Sequence, residues 1–289
     1  MKSKVGAKAY RSIGGNIGTF IFLLIIALFM LLPLVFVVSS AFKPLSELFI
    51  FPPKLFPMNP TLDNFKDLSS LLGDSWLPFS RYVFNSLAVT VIGTFGNIIF
   101  SSMAAYVLSK HNFPGKNILF QTVVLSLLFS TVVTGIPNYI IITKLHMINT
   151  VWALILPLLP SSLGLFLMKQ FMDQMIPDTL LEAARLDGAG ENRIFFSICL
   201  PLVKPAIMTL LIYSFQGIWN STGGSYIFDE KLKTLPTALN NIITSGISRT
   251  GVSSAVSLLL ILPPIAVFRA VKRIADDGDL GYEGLRCIQ

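Results

Sequence analysis

Long apolar runs alternate with short polar ones along this chain, and the lengths of the apolar runs decide its class. Six stretches contain no Asp, Glu, Lys, Arg or His: residues 12–42, 82–109, 117–143, 147–168, 205–228 and 250–268. A hydrocarbon core about 30 Å thick takes roughly 20 apolar residues in a helix. Each run meets that length once its ends are trimmed or extended. The pattern therefore predicts an all-α integral membrane protein with six spans, at 17–42, 81–110, 117–145, 147–172, 199–222 and 250–270. Only "KLHM" separates the third span from the fourth. The first apolar run is too long for a signal peptide and no A-x-A site follows it, so it reads as a retained anchor.

The polar segments orient the spans. Lys2, Lys4, Lys8 and Arg11 lie in segment 1–16 ahead of the first span, which places the amino terminus in the cytoplasm. Alternating from there puts 14 Lys and Arg inside and 8 outside, as the positive-inside rule requires. Segments 43–80 and 223–249 then lie outside, and 177–198 and the tail 271–289 inside. The first outer segment carries Pro52, Pro53, Pro57, Pro60 and Pro78, so it reads as a turn-rich loop with short helices. Pro33, Pro137, Pro157 and Pro160 interrupt spans and predict kinks.

Composition agrees with a life in lipid. Of 289 residues, 53% are hydrophobic and 13% charged, about half the charged share of a soluble domain. The net charge of +7 is accounted for by the inner-side bias and calls for no nucleic acid. Cys199 and Cys287, and His111 and His146, lack disulfide or metal-ligand spacing, so no metal or cofactor is assigned to the chain.

One polar segment is unusually regular: "PDTLLEAARLDGAGENRIFFSICLPLVKP", residues 177–205. Pro177-Asp178 offers a helix start, and Thr179 with Glu182 fits a capping box. Leu180, Leu181, Ala183, Ala184 and Leu186 give two to three helical turns. Asp187-Gly188 ends them, because Gly tolerates the left-handed conformation. A second helical stretch, 193–198, leads into the next span. Ala183 and Ala184 leave one side low, and Leu180 and Leu181 could anchor in an apolar groove of a partner. A solvated loop is the alternative.

"EAARLDGAGENRIFFSICLPLVKPAI" resembles the EAA motif of the permease subunits of bacterial ABC importers. "NPTLDNF" (59–65), "NSLAVTVIGTFGN" (85–97), "AAYVLSKHNFPGK" (104–116) and "IWN" (218–220) look like the carbohydrate branch, similar to the smaller maltose-importer permease. The resemblance implies the type I importer permease fold in a bacterial inner membrane. It makes Glu182, Ala183, Ala184, Asp187 and Gly188, with Leu180 and Leu181, a coupling helix seated on a separate ATPase. It also implies two ATPase copies that carry ATP and Mg, a second permease subunit, an extracytoplasmic solute-binding protein, and a carbohydrate solute, an oligosaccharide foremost. The tail "KRIADDGDLGYEGLRCIQ" departs from the family pattern, so the role of the maltose-type tail is not carried onto it.

Energy coupling follows partly by elimination. Gly115-Lys116 lacks the glycine spacing of a phosphate loop, so the chain carries no such ATPase of its own. No Asp or Glu lies within a span, where proton-coupled carriers keep one. An ATPase in trans fits both observations. A secondary carrier or channel, a scaffold, and an importer of a non-sugar solute stay open as alternatives. For the solute pathway the candidates are Asn97, Asn138, Tyr139, Gln216, Trp219 and Asn220, with Asn85 and Gln121 behind them. Amides hydrogen-bond sugars, and aromatic rings cover their apolar faces. Helix–helix hydrogen bonding is the competing use of every one of these side chains.

Overall fold

The computed structural model describes residues 13–73, 78–221, 226–243 and 250–286. Among these residues every regular element is helical. The chain divides into two compact units, residues 1–69 with 246–258, and 70–245 with 259–289.

The first unit is built on α1 (Ile13–Ala41), which contains Pro33. Its apolar length is exposed on all sides, Phe20 and Phe29 by 66% and 69%, as suits a helix whose surroundings are hydrocarbon. The loop beyond it carries α2 (Leu45–Leu48) and the start of α3 (Asp63–Gly73), the short helices expected there. Polar side chains fold this loop. The buried Asn64 carboxamide donates to Ala41 O and Lys43 O at 2.9 and 2.8 Å. Glu47 accepts the backbone N–H of Met58 and of Asn59, each at 2.9 Å. The first turn of α14 (Thr250–Arg286) belongs to this unit. There Gly251 lies so close to Asn64 that a Cβ would collide with the carboxamide.

In the second unit α4 (Phe79–Lys110) is the central helix. It is followed by α5 (Lys116–Ser126), α6 (Thr131–Lys144), α7 (Val151–Ile155), α8 (Ser162–Met175), α9 (Asp178–Leu186), α10 (Glu191–Ile194), α11 (Leu200–Leu202), α12 (Lys204–Trp219) and α13 (Leu235–Ile243). Most of the buried side of α4 is short or polar: Ser86, Thr90, Gly93, Thr94, Asn97, Ser101 and Ala105 recur at helical spacing, with larger residues such as Val89, Ile98 and Tyr106 among them. Small residues let backbones approach closely, which drives helix association where lipid is as apolar as the side chains. A Cβ on Gly93 would sit 3.1 Å from Ile218 of α12, and one on Gly96 would collide with Leu159.

Four helical stretches are long and apolar enough to cross a membrane: Ile17–Ala41, Phe79–Lys110, Val151–Met175 and Gly251–Ile274. Glu191–Leu202 with Lys204–Trp219 makes a fifth if the two are joined across an 81° bend. The expected third span is not one helix. Its residues form α5 and α6, about 17 and 21 Å long, separated by residues 127–130. The break has no Gly or Pro to announce it. The end of α5 tightens through bonds from Leu127, Leu128 and Phe129 N–H to carbonyls three residues back, and Ser130 O then accepts the first bonds of α6. The fourth span breaks where Pro157 and Pro160 predict it. A 3-10 turn covers Leu156–Leu158, and α8 restarts with the Ser161 hydroxyl accepting from Gly164 N–H at 2.9 Å. At its end α14 runs through Pro263 and Pro264 to Arg286, 16 residues beyond the expected end of the span.

Gly164 tests the close packing. A Cβ there would stand 2.8 Å from Ser101 Oγ and 3.0 Å from Leu210 Cδ1. Gly164→Val is expected to destabilise the fold by about 1–3 kcal/mol. The loss is read as a lower temperature at which the buried thiol of Cys199 reacts with a fluorogenic maleimide. Gly18→Ala, in open space, is expected to leave that temperature unchanged.

Candidate functional site

The regular polar segment forms a short helix, α9, closed by a complete carboxyl-terminal cap. Gly188 takes φ +80°. Its N–H donates to Arg185 O at 3.0 Å, and Ala189 N–H reaches back to Ala184 O at 3.0 Å. This pair of bonds is the Schellman arrangement, which satisfies carbonyls the helix would otherwise leave bare. No atom lies within 4 Å of a Cβ built on Gly188, so glycine is needed for its backbone conformation and not for space. Ala184 and Ala189, joined by the cap, both pack on the core cluster that contains Met168, Met172 and Cys199.

The amino-terminal end differs from expectation. Pro177 occupies the N-cap and the helix starts at Asp178. Thr179 is thereby the second helical residue, and the expected capping box with Glu182 does not form. No side chain accepts from the first N–H groups, and this end is held instead by a cation from another helix. Lys110, at the end of α4 and with its side chain 5% exposed, donates to Ile176 O at 2.6 Å and pairs with Asp178 at 2.9 Å. Asp178 in the first turn also suits the positive end of the helix dipole.

Helical geometry divides α9 into two faces. Leu181 is 2% exposed and belongs to the core cluster, with Ala184 packed beside it. Leu181, expected as an anchor for a partner, is instead the anchor of α9 to its own chain. The outward face carries Thr179, Glu182, Ala183 and Leu186, followed by Asp187. Leu186 is 89% exposed and Leu180 40%. An exposed leucine beside a bare alanine backbone, rimmed by acids, is suited to contact with another protein.

Beyond the cap, Glu191 begins α10 and gathers three neighbours. Arg185 Nε donates to Oε1 at 2.9 Å, Tyr106 Oη donates to Oε2 at 2.6 Å, and His111 Nε2 lies 3.4 Å from Oε2. The hydrogen bonds from Arg185 and then Tyr106 hold the Glu191 carboxyl below its ordinary value, and the same bond raises the Arg185 guanidinium. None of Tyr106, Lys110 and Glu191 stands out in the sequence. The bonds that bring α4 to this segment, Tyr106 to Glu191 and Lys110 to Ile176, span 85 and 66 residues, and only the adjacency of Lys110 and Asp178 to the ends of apolar runs hints at them.

The pathway candidates separate. Asn97, 4% exposed, donates to Leu158 O and Leu159 O at 2.9 and 3.2 Å and accepts from Ser214 at 2.8 Å. It ties α4 to the break in the fourth span and to α12. Trp219, 2% exposed, stacks on Phe215 and donates to Leu260 O at 3.0 Å. Both serve helix packing. Gln216, Asn220 and Gln121 are exposed, and Asn85 donates to Lys231 O and Lys233 O at 2.8 and 3.1 Å. Asn138 lines a cavity of about 600 Å3, together with Ser126, Ser162, Ser221 and Tyr226. Tyr139 stacks on Tyr226, centroids 6.3 Å apart. Ser126 and Ser162 hydrogen-bond at 2.6 Å in the wall of this cavity, joining the end of α5 to the start of α8. Amides, hydroxyls and a tyrosine on apolar walls are the donors and surfaces a neutral polar solute needs. Among the described residues no group of three His, Cys, Asp or Glu could hold a metal ion.

Comparison with known proteins gives concordant matches. Residues 97–277 match the family described as binding-protein-dependent transport system inner membrane component. The protein LplC of Bacillus subtilis is 32% identical, over 82% of this chain and 83% of its own length. The arabinooligosaccharides transport system permease protein AraQ of Halalkalibacterium halodurans is 30% identical, covering 86% and 88%. The sn-glycerol-3-phosphate transport system permease protein UgpE of Yersinia enterocolitica is 31% identical, covering 90% and 94%. A chain in the crystal structure of a bacterial ABC transporter that imports the acidic polysaccharide alginate superposes with a TM-score of 0.74 at 21% identity, covering 91% of this chain and 98% of that one. That likeness concerns the fold.

Two outcomes follow from the cap and the carboxylate. Gly188→Ala is expected to weaken α9 by about 1–2 kcal/mol, read as faster amide exchange at Asp187, Gly188 and Ala189. Gly188→Asn, which tolerates the same conformation, is expected to lose less. Because the folded value of Glu191 is depressed, its tie is fully present above the ordinary glutamate value of about 4.3. It is lost only as pH falls through the lower folded value. Protection of the same amides, corrected for intrinsic exchange, should therefore persist through about pH 4.3 and fall below it. Glu191→Gln should remove that acid transition.

Proposed function

The chain belongs to the family of binding-protein-dependent transport system inner membrane components, and from that premise we propose that it is one permease half of an ABC importer for a carbohydrate, an oligosaccharide foremost. Membership makes it a multi-pass transport component of a bacterial inner membrane, not an enzyme. The observation that carries the mechanism is the two-faced helix α9, held to its own chain by Leu181 and presenting Leu186, Ala183 and Glu182 outward. On this reading α9 is the coupling helix, on the cytoplasmic side with the amino terminus. Its outward face seats on one of two ATPase subunits, which bind ATP and Mg. A second permease subunit completes the pathway, and an extracytoplasmic solute-binding protein delivers the solute.

Six spans are required for that orientation, with α5 and α6 together forming the third and residues 199–222 the fifth. The cavity at Asn138 and Tyr226 is the part of the pathway contributed by this chain. Its amide, hydroxyl and aromatic lining supports a neutral sugar, as do the arabinooligosaccharides in the name of the AraQ relative. The sn-glycerol-3-phosphate in the name of the UgpE relative favours a second reading, a polyol phosphate ester. Transport follows alternating access. ATP closes the two ATPases, the coupling helices move with them, and the permease pair opens outward to accept solute.

Co-purification with the candidate ATPase tests the central step. Leu186→Asp and Glu182→Lys, on the outward face, are expected to release the ATPase while the permease keeps its thermal transition. Retention of the ATPase by both variants, with ATP-dependent uptake intact, would return α9 to a solvated loop and remove the importer mechanism.

A further inference from the structure

The last turn of α4 holds both ends of α9. At one end Lys110 grips Ile176 O and Asp178. At the other, Glu191 bonds Tyr106 of α4 through Oε2 and Arg185 of α9 through Oε1. The same turn also reaches α8, where Ser109 donates to Asp173 at 2.6 Å and Lys169 pairs with that carboxylate at 2.6 Å. A nine-residue helix is too short to persist alone in water, and α9 therefore depends on what holds it. Between the pins Leu181 and Ala184 pack on a cluster that includes Ala105 and Tyr106.

From this turn α4 runs 32 residues without interruption, about 48 Å. Its opposite end is bonded just as specifically. Tyr82 donates to Glu230 at 3.3 Å, Asn85 to two carbonyls of the same loop, and Ser86 accepts from Leu235 N–H at 2.6 Å. One unbroken helix thus joins α9 to the loop on the far side of the membrane.

We propose that Glu191 is a positioning residue: by bonding Tyr106 and Arg185 at once, it makes α9 and α4 a single lever, so that displacement of the coupling helix is delivered through α4 to the far side. The proposal rests on α9 being the coupling helix. An exposed ion pair contributes little by itself, and Arg185 is 40% exposed. What distinguishes this carboxylate is that its two oxygens serve two different elements, one through a tyrosine that is 5% exposed. The other groups facing it are His111 of α4 and, more distantly, the Cys199 thiol. The outward face of α9 contains none of them. Glu191 therefore acts on how motion is passed on and not on how the ATPase is held.

The test uses the assembled transporter in lipid, with Asn138→Cys as a reporter of cavity exposure. Its rate of labelling by a membrane-impermeant maleimide is measured before and after trapping the ATPases with ATP and vanadate. Labelling of a chain that retains Asn138 is subtracted. With Glu191 present, trapping is expected to change the rate about tenfold. Glu191→Gln should cut that change to about twofold or less while the complex keeps its ATPase and still traps vanadate. Tyr106→Phe should act in the same direction. The double variant should be no worse than the worse single one, as residues acting through one contact are not additive. A purely structural defect would lose ATPase or trapping first. A full response in both variants overturns the proposal, and release of the ATPase from them overturns it too, by making Glu191 part of the docking seat. If Glu191→Gln does not assemble, Tyr106→Phe decides alone. Absence of any change with Glu191 present would overturn the importer reading instead.

Discussion

The structure depends on how closely its neighbours can approach α4. Lipid supplies no hydrophobic drive between helices, so their association rests on packing and on hydrogen bonds made inside the bundle. The stripe of Ser, Thr, Gly, Asn and Ala on α4 meets both needs. Gly93 admits Ile218 and Gly96 admits Leu159, while Asn97 supplies three hydrogen bonds to two neighbours. Every other feature of the second unit is set against this helix. The break in the fourth span is held by Asn97, the far loop by Tyr82, Asn85 and Ser86, and the polar helix α9 by Tyr106 and Lys110.

Breaks in the spans place polar groups where a continuous helix would hide them. The third and fourth runs both interrupt near the middle, and Ser126 and Ser162 bond across the gap. Irregular backbone at membrane depth is tolerated only where protein buries it or a water-filled cavity receives it. Here both conditions hold in part. Asn97 caps two carbonyls of the fourth break, and the cavity lined by Asn138 and Tyr226 adjoins the remainder. The cavity is thus a consequence of the same breaks that shorten α5 and α6.

Much of this was legible in the chain, and the losses have physical causes. The apolar runs gave the helices, and Pro157 and Pro160 gave the fourth break, because proline removes a donor wherever it stands. The third break is invisible because residues 127–130, three apolar ones and a serine, include no Gly or Pro to mark a turn. Gly188 was readable as a cap, since only a few residues accept positive φ. Thr179 was misread because a capping motif and a first-turn threonine look alike until Lys110 is seen to bind the preceding carbonyl. Trp219 and Asn97 were candidates for solute contact by type alone. Their burial against Leu260 O and Leu158 O could not be read from a list of residue types.

On the proposed reading α9 faces a partner, and a helix of nine residues in that position has two conflicting requirements. It must leave a side bare, yet a helix so short holds its shape only through its contacts. In α9 the conflict is resolved by periodicity and by borrowed partners. Leu181 and Ala184 fall on one face and enter the core, while Ala183 and Leu186 fall on the other and stay exposed. The carbonyls left over at its carboxyl end are closed by Gly188 within the segment, and its start is held by Lys110 from outside, through Ile176 O and the Asp178 carboxylate. Glu191 then ties the cap to the same turn of α4 that holds the start. The outward face contributes nothing to these contacts, so its residues are free to match a partner without loosening the helix that presents them.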